Sequence, residues 1–157
     1  MSSYCITRVQ HIPVSLSQAW EFFSHPGNLQ KITPVSMNFR VLNDSGSDTM
    51  YAGQIITYKV SPIAGIPMFW MTEITHVKEQ EYFVDEQRFG PYALWHHTHK
   101  FKAIEGGVEM TDIVHYKLPL GPIGNLVHAL LVKKKVEAIF DFRVKAVEQL
   151  FGPSTKP

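Results

Sequence analysis

The chain has 157 residues, of which 45% are apolar and 18% are charged, so it is long enough to bury the core of one domain. Its formal net charge of +1 argues against nucleic acid as a partner, because nucleic-acid binding usually needs a strongly basic surface. The single cysteine, Cys5, excludes an internal disulfide, and no segment has the roughly 18 consecutive apolar residues of a membrane span.

These properties also indicate a location. A chain without disulfides fits a reducing compartment, and the first ten residues show no charged region followed by an apolar one, as a secretory signal would. By elimination we expect a cytoplasmic protein with no integral membrane segment. We expect Cys5 itself to be a small core residue on the first strand.

The first part of the chain predicts a strand followed by two short helices. Residues 4–12 alternate loosely between apolar and polar and end at a proline, as a strand does. Ser15 stands three residues before Gln18, which is a capping-box pattern, and apolar residues follow at helical spacing. A second short helical piece is expected over residues 28–33, where another proline ends it.

The middle of the chain has the period of β-strands. A strand over residues 37–42 precedes a cluster of turn residues at 43–48. The further strand-like runs cover residues 54–60, 69–77, 82–89, 93–104 and 108–118. Because the links between these runs are short, we expect antiparallel hairpins.

The last element is one long helix that opens at Gly121 and Pro122 and runs to Leu150 without a further proline. At 1.5 Å per residue it would be roughly 40 Å long, enough to cross a domain. Residues spaced three and four apart form one mostly apolar stripe along the surface of this helix. The stripe consists of Val132, Val136, Ile139, Phe140, Arg143, Val147 and Leu150.

The order of elements predicts the fold class. A strand, two short helices, six strands and a long helix indicate an α+β domain in which a curved seven-stranded antiparallel sheet wraps around the C-terminal helix. We expect residues 1–157 to form this one domain. A helix and a curved sheet commonly leave a cavity between them, which is where a ligand would bind.

Alternation on the strands brings polar residues into the predicted interior, because every second residue shares a face. On the strand over 93–104 the face with the aromatic residues carries Trp95, His97, His99 and Phe101. The same face of the preceding strand carries Phe83, Asp85, Gln87 and Phe89. The same face of the following strand carries Met110, Asp112, Val114 and Tyr116.

Three interpretations of Asp85, His97, His99 and Asp112 stay open at this point, since buried polar groups need partners. They form a structural network, or they orient the polar end of an amphiphilic ligand, or they bind metal or carry out acid–base chemistry. Two histidines at i and i+2 on a strand are a weak metal signal, and the sequence has no stronger metal motif. We therefore expect no metal ion and no cofactor.

Arg143 is a charged residue on the apolar stripe of the last helix. Its side chain reaches solvent from the edge of the core, or pairs with Asp85, Asp112 or Glu73, or holds a carboxylate or phosphate of a ligand. The sequence alone leaves all three roles open.

Several segments resemble the START-like superfamily, also called SRPBCC, with the helix-grip fold that polyketide cyclases and pathogenesis-related pollen allergens share. The segments resembling the first helix pair of that superfamily are Ile12–Ser15, Ala19–Phe23, Pro26–Leu29 and Thr33–Pro34. The segments resembling a bacterial subgroup of small stand-alone proteins are Trp70–Ile74, Phe83–Gln87, Gly90–Tyr92, Trp95–Phe101 and Asp112–Pro119. The resemblance covers nearly the whole chain.

The resemblance implies a deep cavity for a lipid, polyketide, sterol or aromatic metabolite. Transfer proteins, receptors, cyclases and dehydratases share this fold, so the fold does not determine the function. No catalytic residue of the superfamily matches a position in this chain.

The leading hypothesis is a binding or transport protein for a small hydrophobic or amphiphilic molecule. The residues predicted to contact it are Trp70, Glu73, Phe83, Asp85, Gln87, Trp95, His97, His99, Phe101, Asp112, Tyr116 and Arg143. The first alternative is an enzyme of the cyclase or dehydratase type, with His97 or His99 as general base and Asp112 fixing its tautomer. The second alternative is a protein-interaction module.

Overall fold

Seven strands form one antiparallel sheet in the order β1-β7-β6-β5-β4-β3-β2. The computed structural model describes residues 3–43, 49–61 and 65–153. The strands are β1 Tyr4–Ile12, β2 Arg40–Asn43, β3 Gln54–Val60, β4 Met68–Lys78, β5 Tyr82–Phe89, β6 Leu94–Ile104 and β7 Gly107–Lys117. The α-helices are α1 Leu16–Phe23, α2 Gly121–Val127 and α3 Lys133–Phe151.

Shorter helical turns complete the chain. Two 3₁₀ segments, Pro26–Ile32 and Val35–Met37, follow α1, and a π-helical turn, His128–Val132, joins α2 to α3. The predicted α+β class is confirmed, with a curved seven-stranded antiparallel sheet, a long C-terminal helix and short helices after the first strand. Most of the turn predicted at 43–48 lies outside the described residues.

The predicted capping box starts α1. The hydroxyl of Ser15 accepts a hydrogen bond from the backbone N–H of Gln18 at 3.2 Å, and the amide oxygen of Gln18 accepts one from the backbone N–H of Ser15 at 3.1 Å. These bonds satisfy donors that a helix start leaves without partners. The helix then buries Ala19, Trp20 and Phe23 in the core.

The core has two adjoining clusters. The larger one joins α1, the sheet and the end of α3, where Phe101 lies 5.6 Å from Trp20 and 5.7 Å from Phe23 between ring centroids. The smaller one joins β7 to α3 through residues that include Tyr116 and Phe140. No helix in the described ranges is long and apolar enough to cross a membrane.

The last helix differs from the prediction because a π turn interrupts it at His128–Val132. A π turn accommodates one more residue than an α-helical turn, so the apolar positions on its two sides follow different phases. Five apolar side chains between residues 120 and 131, before and within this turn, are more than half exposed: Leu120, Ile123, Leu126, Leu130 and Leu131. Leu150, predicted on the buried stripe, is 47% exposed.

Two strand predictions are also wrong. The strand expected over 37–42 begins only at Arg40, because Met37 ends a 3₁₀ turn and Asn38 adopts a left-handed conformation with φ of 46°. The second is the face of β5 that Phe89 was predicted to share with Gln87. The pairing of β5 with β4 shifts by one residue beyond the pair of Thr72 with Gln87.

The same register shift lets Met71 pair with Phe89, which turns Phe89 to the outer face of the sheet. Phe89 is 61% exposed and contacts Phe69 there. Cys5, expected in the core, is also exposed.

Candidate functional site

A cavity of about 160 Å³ is lined by β3 to β6, the 3₁₀ segments and α3. Its aromatic lining residues are Phe39, Tyr58, Trp70, Phe83, Tyr92 and Trp95. Its polar and charged lining residues are Thr33, Thr72, Asp85, His97, His99 and Arg143. The other lining residues are Leu29, Met37, Met50, Val60, Ile74 and Ile139. The cavity is therefore mostly apolar, with charged groups in one region of its wall.

Three aromatic rings of the wall contact one another. Trp70 and Trp95 meet edge to face with centroids 5.4 Å apart, and Tyr92 lies 4.9 Å from Trp95 and 5.6 Å from Trp70. The indole N–H of Trp70 donates to the hydroxyl of Thr72 at 3.0 Å. Because these contacts restrain the rings, their free faces can receive an apolar ligand with little loss of side-chain entropy.

The strand register brings the predicted polar residues together. His97 on β6 is opposite Asp85 on β5, and His99 on β6 is opposite Asp112 on β7. The side chains also bond diagonally. His97 Nε2 lies 2.9 Å from Asp112 Oδ1, and His99 Nε2 lies 2.7 Å from Asp85 Oδ2. His99 Nδ1 lies 2.9 Å from Asp112 Oδ1, so His99 bridges both carboxylates.

Arg143 of α3 reaches this network from the other side of the cavity. Its Nη2 lies 3.7 Å from Asp112 Oδ1 and 3.5 Å from His99 Nδ1, while the guanidinium lies 5.7 Å from the ring centroid of Phe23. Of the three roles left open by the sequence, this geometry supplies the ion pair with Asp112. No other atom of Arg143 has a polar partner among the described residues, so the remaining N–H groups can still donate.

The burial of the network shifts its proton equilibria. Burial alone would raise the pKa of Asp112, but the charge of Arg143 and the hydrogen bonds from the two histidines hold that pKa well below its usual value. The pKa of Asp85 is likewise lowered, because the charges and bonds of His97 and His99 outweigh its burial. Both carboxylates are therefore ionised at neutral pH.

The two histidines respond in opposite directions. Burial and then the neighbouring charge of His99 lower the pKa of His97. Burial also acts to lower the pKa of His99, but its hydrogen bonds to Asp112 and Asp85 outweigh this and raise the pKa. The favoured state has a charged His99 beside a neutral His97, and their ring centroids are 3.7 Å apart.

Two tyrosines bring hydroxyl groups to the same cavity. Both tyrosines line the cavity, and Tyr58 is only 6% exposed. Burial, and then the charge of Asp85, raise the pKa of Tyr58 well above its usual value, and burial raises that of Tyr92. Both phenols are therefore neutral near pH 7.

Seven of the twelve residues predicted to contact a ligand line the cavity. They are Trp70, Phe83, Asp85, Trp95, His97, His99 and Arg143. Asp112 does not line it but holds His97 and His99 from behind. Their contact with a ligand stays a prediction.

The four other predicted residues do not line this cavity. Gln87 holds the β5–β6 turn, where its amide nitrogen donates to the carbonyl of Tyr92 at 2.7 Å. Phe101 and Tyr116 are buried in the core clusters. Glu73 lies away from the cavity and accepts a hydrogen bond from Arg88 at 2.6 Å.

Several lining residues were not among the predicted contacts. Tyr58 shares the buried face of β3 with Ile56 and Val60, and this alternation along the strand could have identified it as an inward residue. Tyr92 lies in a turn, and Phe39 lies just before β2, where no period marks which way a side chain points. Their place depends on the curvature of the sheet, which a sequence pattern does not encode.

No protein-family model matches the sequence, and no curated protein matches it. Many solved structures do match it in fold. A protein from Chromobacterium violaceum is 12% identical with a TM-score of 0.71, and the match covers 95% of this chain and 98% of that one.

Two further solved structures carry protein names. Major latex-like protein 151 from Panax ginseng is 13% identical with a TM-score of 0.69, covering 96% of this chain and 99% of that chain. The protein Ara h 8.0201 is 15% identical with a TM-score of 0.61, covering 94% of this chain and 99% of that chain. Identities this low speak to fold alone. The architecture and these likenesses together show that the chain has the helix-grip fold.

Proposed function

We propose that the protein binds a small amphiphilic molecule in its internal cavity. The observation that carries the proposal is a cavity whose wall combines six aromatic side chains with the charged groups of Asp85 and Arg143. Aromatic side chains can contact the apolar part of such a molecule, and charged groups in one region of the wall can bind its polar part.

The volume of the cavity favours a compact ligand. At about 160 Å³ it is close to the roughly 150 Å³ apolar cavity that holds benzene in another protein. We infer a ligand of one or two rings, an aromatic or short polyketide-like molecule, rather than a lipid with two acyl chains.

The polar part of the ligand would lie toward Tyr58, Asp85 and Arg143. Tyr58 and Arg143 both line the cavity. A phenol can donate or accept a hydrogen bond, and a guanidinium carries five N–H donors. A hydroxyl or carboxylate on the ring system would satisfy both groups, while Trp70 and Trp95 contact the ring faces.

The geometry favours binding over general-base catalysis. Both ring nitrogens of His99 lie within 2.9 Å of a carboxylate oxygen, so neither is free to accept a proton from a ligand. His97 Nδ1 lies 3.5 Å from Asp85 Oδ2, so this nitrogen faces a carboxylate rather than the open cavity. The cyclase or dehydratase alternative therefore has weaker support.

Calorimetric titration with 2-naphthoate, a carboxylate with two fused rings, tests this proposal. Ile139 lines the cavity from α3, so Ile139→Phe fills part of the space. We expect wild-type protein to bind one equivalent of probe and Ile139→Phe to bind it at least about tenfold more weakly.

The matched control is Leu150→Phe, the same kind of enlargement at a position of the same helix that is 47% exposed. It should leave probe affinity unchanged. Absence of a stoichiometric complex in the wild type, or equal losses in both variants, would refute an internal site. Native mass spectrometry of the purified protein, followed by organic extraction, would identify a co-purifying ligand.

A further inference from the structure

Three atoms of the types that bind metal ions converge on one point of the cavity wall. Asp85 Oδ2 lies 2.7 Å from His99 Nε2 and 3.5 Å from His97 Nδ1, and all three atoms lie within 4.8 Å of one another. Within the part of the chain that the structure describes, no other group of three His, Cys, Asp or Glu side chains is close enough to hold a metal. All three residues line the cavity.

The opposite nitrogens of both histidines are held by one carboxylate. His97 Nε2 and His99 Nδ1 each lie 2.9 Å from Asp112 Oδ1. Histidines that bind metals usually donate their other ring N–H to a carboxylate or carbonyl, which fixes the ring and makes the ligating nitrogen more basic. Asp112 is placed to do this for both rings at once.

His97 Nδ1 and Asp85 Oδ2 lie 3.5 Å apart, which is too long for a good hydrogen bond. When His97 donates from Nε2 to Asp112, its Nδ1 carries a lone pair that faces Asp85 Oδ2 at 3.5 Å. Two acceptors facing each other in a buried place repel, and a cation between them removes the repulsion. The charge of Asp112 is already offset by Arg143 at 3.7 Å, which leaves the charge of Asp85 for such a cation.

We propose that Asp85, His97 and His99 bind a divalent transition-metal ion whose open coordination positions face the cavity. Two imidazoles and one carboxylate suit zinc, cobalt, iron or nickel, whereas calcium and magnesium prefer oxygen ligands alone. The ion would replace the proton between His99 and Asp85. Bond lengths of roughly 2.0–2.2 Å need that pair to separate to roughly 3 Å, which small side-chain rotations provide.

This site goes beyond the proposed ligand binding, which needs no metal, and it is contrary to the sequence-based expectation of none. A ligand oxygen or a water molecule would complete the coordination from the cavity side. The metal would thus select ligands that carry an anionic or readily ionised oxygen.

Titration with Co²⁺ alone tests the site, using protein stripped with a chelator and then freed of it. We expect one equivalent to bind, with the visible d–d absorption of an ion that has nitrogen ligands, and Zn²⁺ to displace it. Asp112→Asn should weaken Co²⁺ binding about 10–100-fold, and Asp85→Asn should weaken it more.

The chain offers a control site on the other face of the sheet. There the rings of His96 and His115 lie 6.4 Å apart, and Cys5 Sγ lies 3.9 Å from His115 Nε2. His96→Gln and His115→Gln should leave the Co²⁺ spectrum unchanged. If these variants abolish it while Asp85→Asn does not, or if the wild type binds no Co²⁺, the proposal fails.

Circular dichroism and melting in chelator establish that each variant is folded. If the Asp85 variant does not fold, X-ray absorption of Co²⁺-loaded wild type decides the question. Two imidazole ligands per ion support the site, and sulfur or purely oxygen coordination overturns it. Probe binding in chelator measures the proposed cavity function separately, so the two proposals can fail independently.

Discussion

Asp112 receives contacts from three side chains through a single oxygen atom. His97 and His99 nitrogens lie 2.9 Å from its Oδ1, and Arg143 Nη2 lies 3.7 Å away. The removal of one member of such a buried network leaves the others desolvated and unpaired. The stability of the fold around the cavity therefore depends strongly on this one carboxylate.

Asp112→Ala should lower the free energy of unfolding by about 3–5 kcal/mol, because it leaves a buried guanidinium and two imidazoles without their acceptor. Urea denaturation in the presence of a chelator measures this without any contribution from metal. Asp141→Ala is the control, since Asp141 pairs with Arg8 at 3.6 Å but is 65% exposed. It should cost at most about 1 kcal/mol, and equal costs for the two variants would contradict the prediction.

The buried phenol of Tyr58 should make the protein less stable in alkali. In the folded protein, burial and then Asp85 raise the pKa of Tyr58 above its unfolded value of about 10. The contribution of Tyr58 to the free energy of unfolding is therefore complete below that pH and is lost as the pH rises. Each such tyrosine lowers the free energy of unfolding by about 1.4 kcal/mol per pH unit above about pH 10.

Urea denaturation at a series of pH values between neutrality and alkaline unfolding checks this dependence. Tyr58→Phe should make the decline above about pH 10 shallower. Tyr51→Phe is the matched control, because the Tyr51 side chain is 49% exposed. The explanation is wrong if both substitutions change the slope equally.

The sequence predicted the polar network better than it predicted the rest of the cavity wall. Asp85, His97, His99 and Asp112 lie on adjacent antiparallel strands, where alternation and hairpin order already bring such residues together. Glu73 was included although no apolar pattern in the sequence showed which face of its strand it occupies. In the structure it pairs with Arg88.

Among the elements, α1 shows that a short sequence pattern can predict the local structure directly. Its capping box forms as the spacing of Ser15 and Gln18 predicts. The helix is only eight residues long, so the bonds at its first turn are a large share of what holds it.

Ser15→Ala should destabilise the protein by about 1 kcal/mol, because it removes the acceptor for the N–H of Gln18. Thermal and urea unfolding both report this loss. Ser17→Ala, in the first turn of the same helix and exposed, should be neutral or slightly stabilising. A loss for Ser17→Ala as large as that for Ser15→Ala would mean that capping is not the cause.

Features that insert or shift one residue escaped prediction. The register shift of β5 reverses the face of Phe89, and the π turn at His128–Val132 changes the phase of the last helix. Neither the register shift nor the π turn changes the spacing of apolar residues in the sequence, because each depends on how the strand or helix packs against its neighbours. Element types were therefore predictable, whereas the orientation of individual residues beyond such a shift was not.

Across the sheet, β1 has a single neighbour, β7, and the two strands meet closely where one ends and the other begins. A Cβ atom at Gly107 would lie 2.1 Å from the carbonyl oxygen of Ile12. At this position a side chain would push the backbone of β1 away from β7.

Gly107→Ala should therefore destabilise the protein by about 1–3 kcal/mol and loosen the edge of the sheet. Hydrogen exchange checks the location of the effect, with faster exchange expected at the paired amides of β1 and little change at those of β3 and β4. Uniform acceleration over all strands would show a global loss instead.

The pairing of β1 with β7 also sets an order in time. The first strand is the first to leave the ribosome, yet β7, its one partner strand among the described residues, ends at Lys117, so roughly 100 residues must follow before it can pair. At roughly 5–20 residues per second, β1 waits roughly 5–20 s with both edges open. The chain can thus assemble the hairpins from β3 to β6 during synthesis. The sheet closes last, when β7, the strand that carries Asp112, pairs with its neighbours.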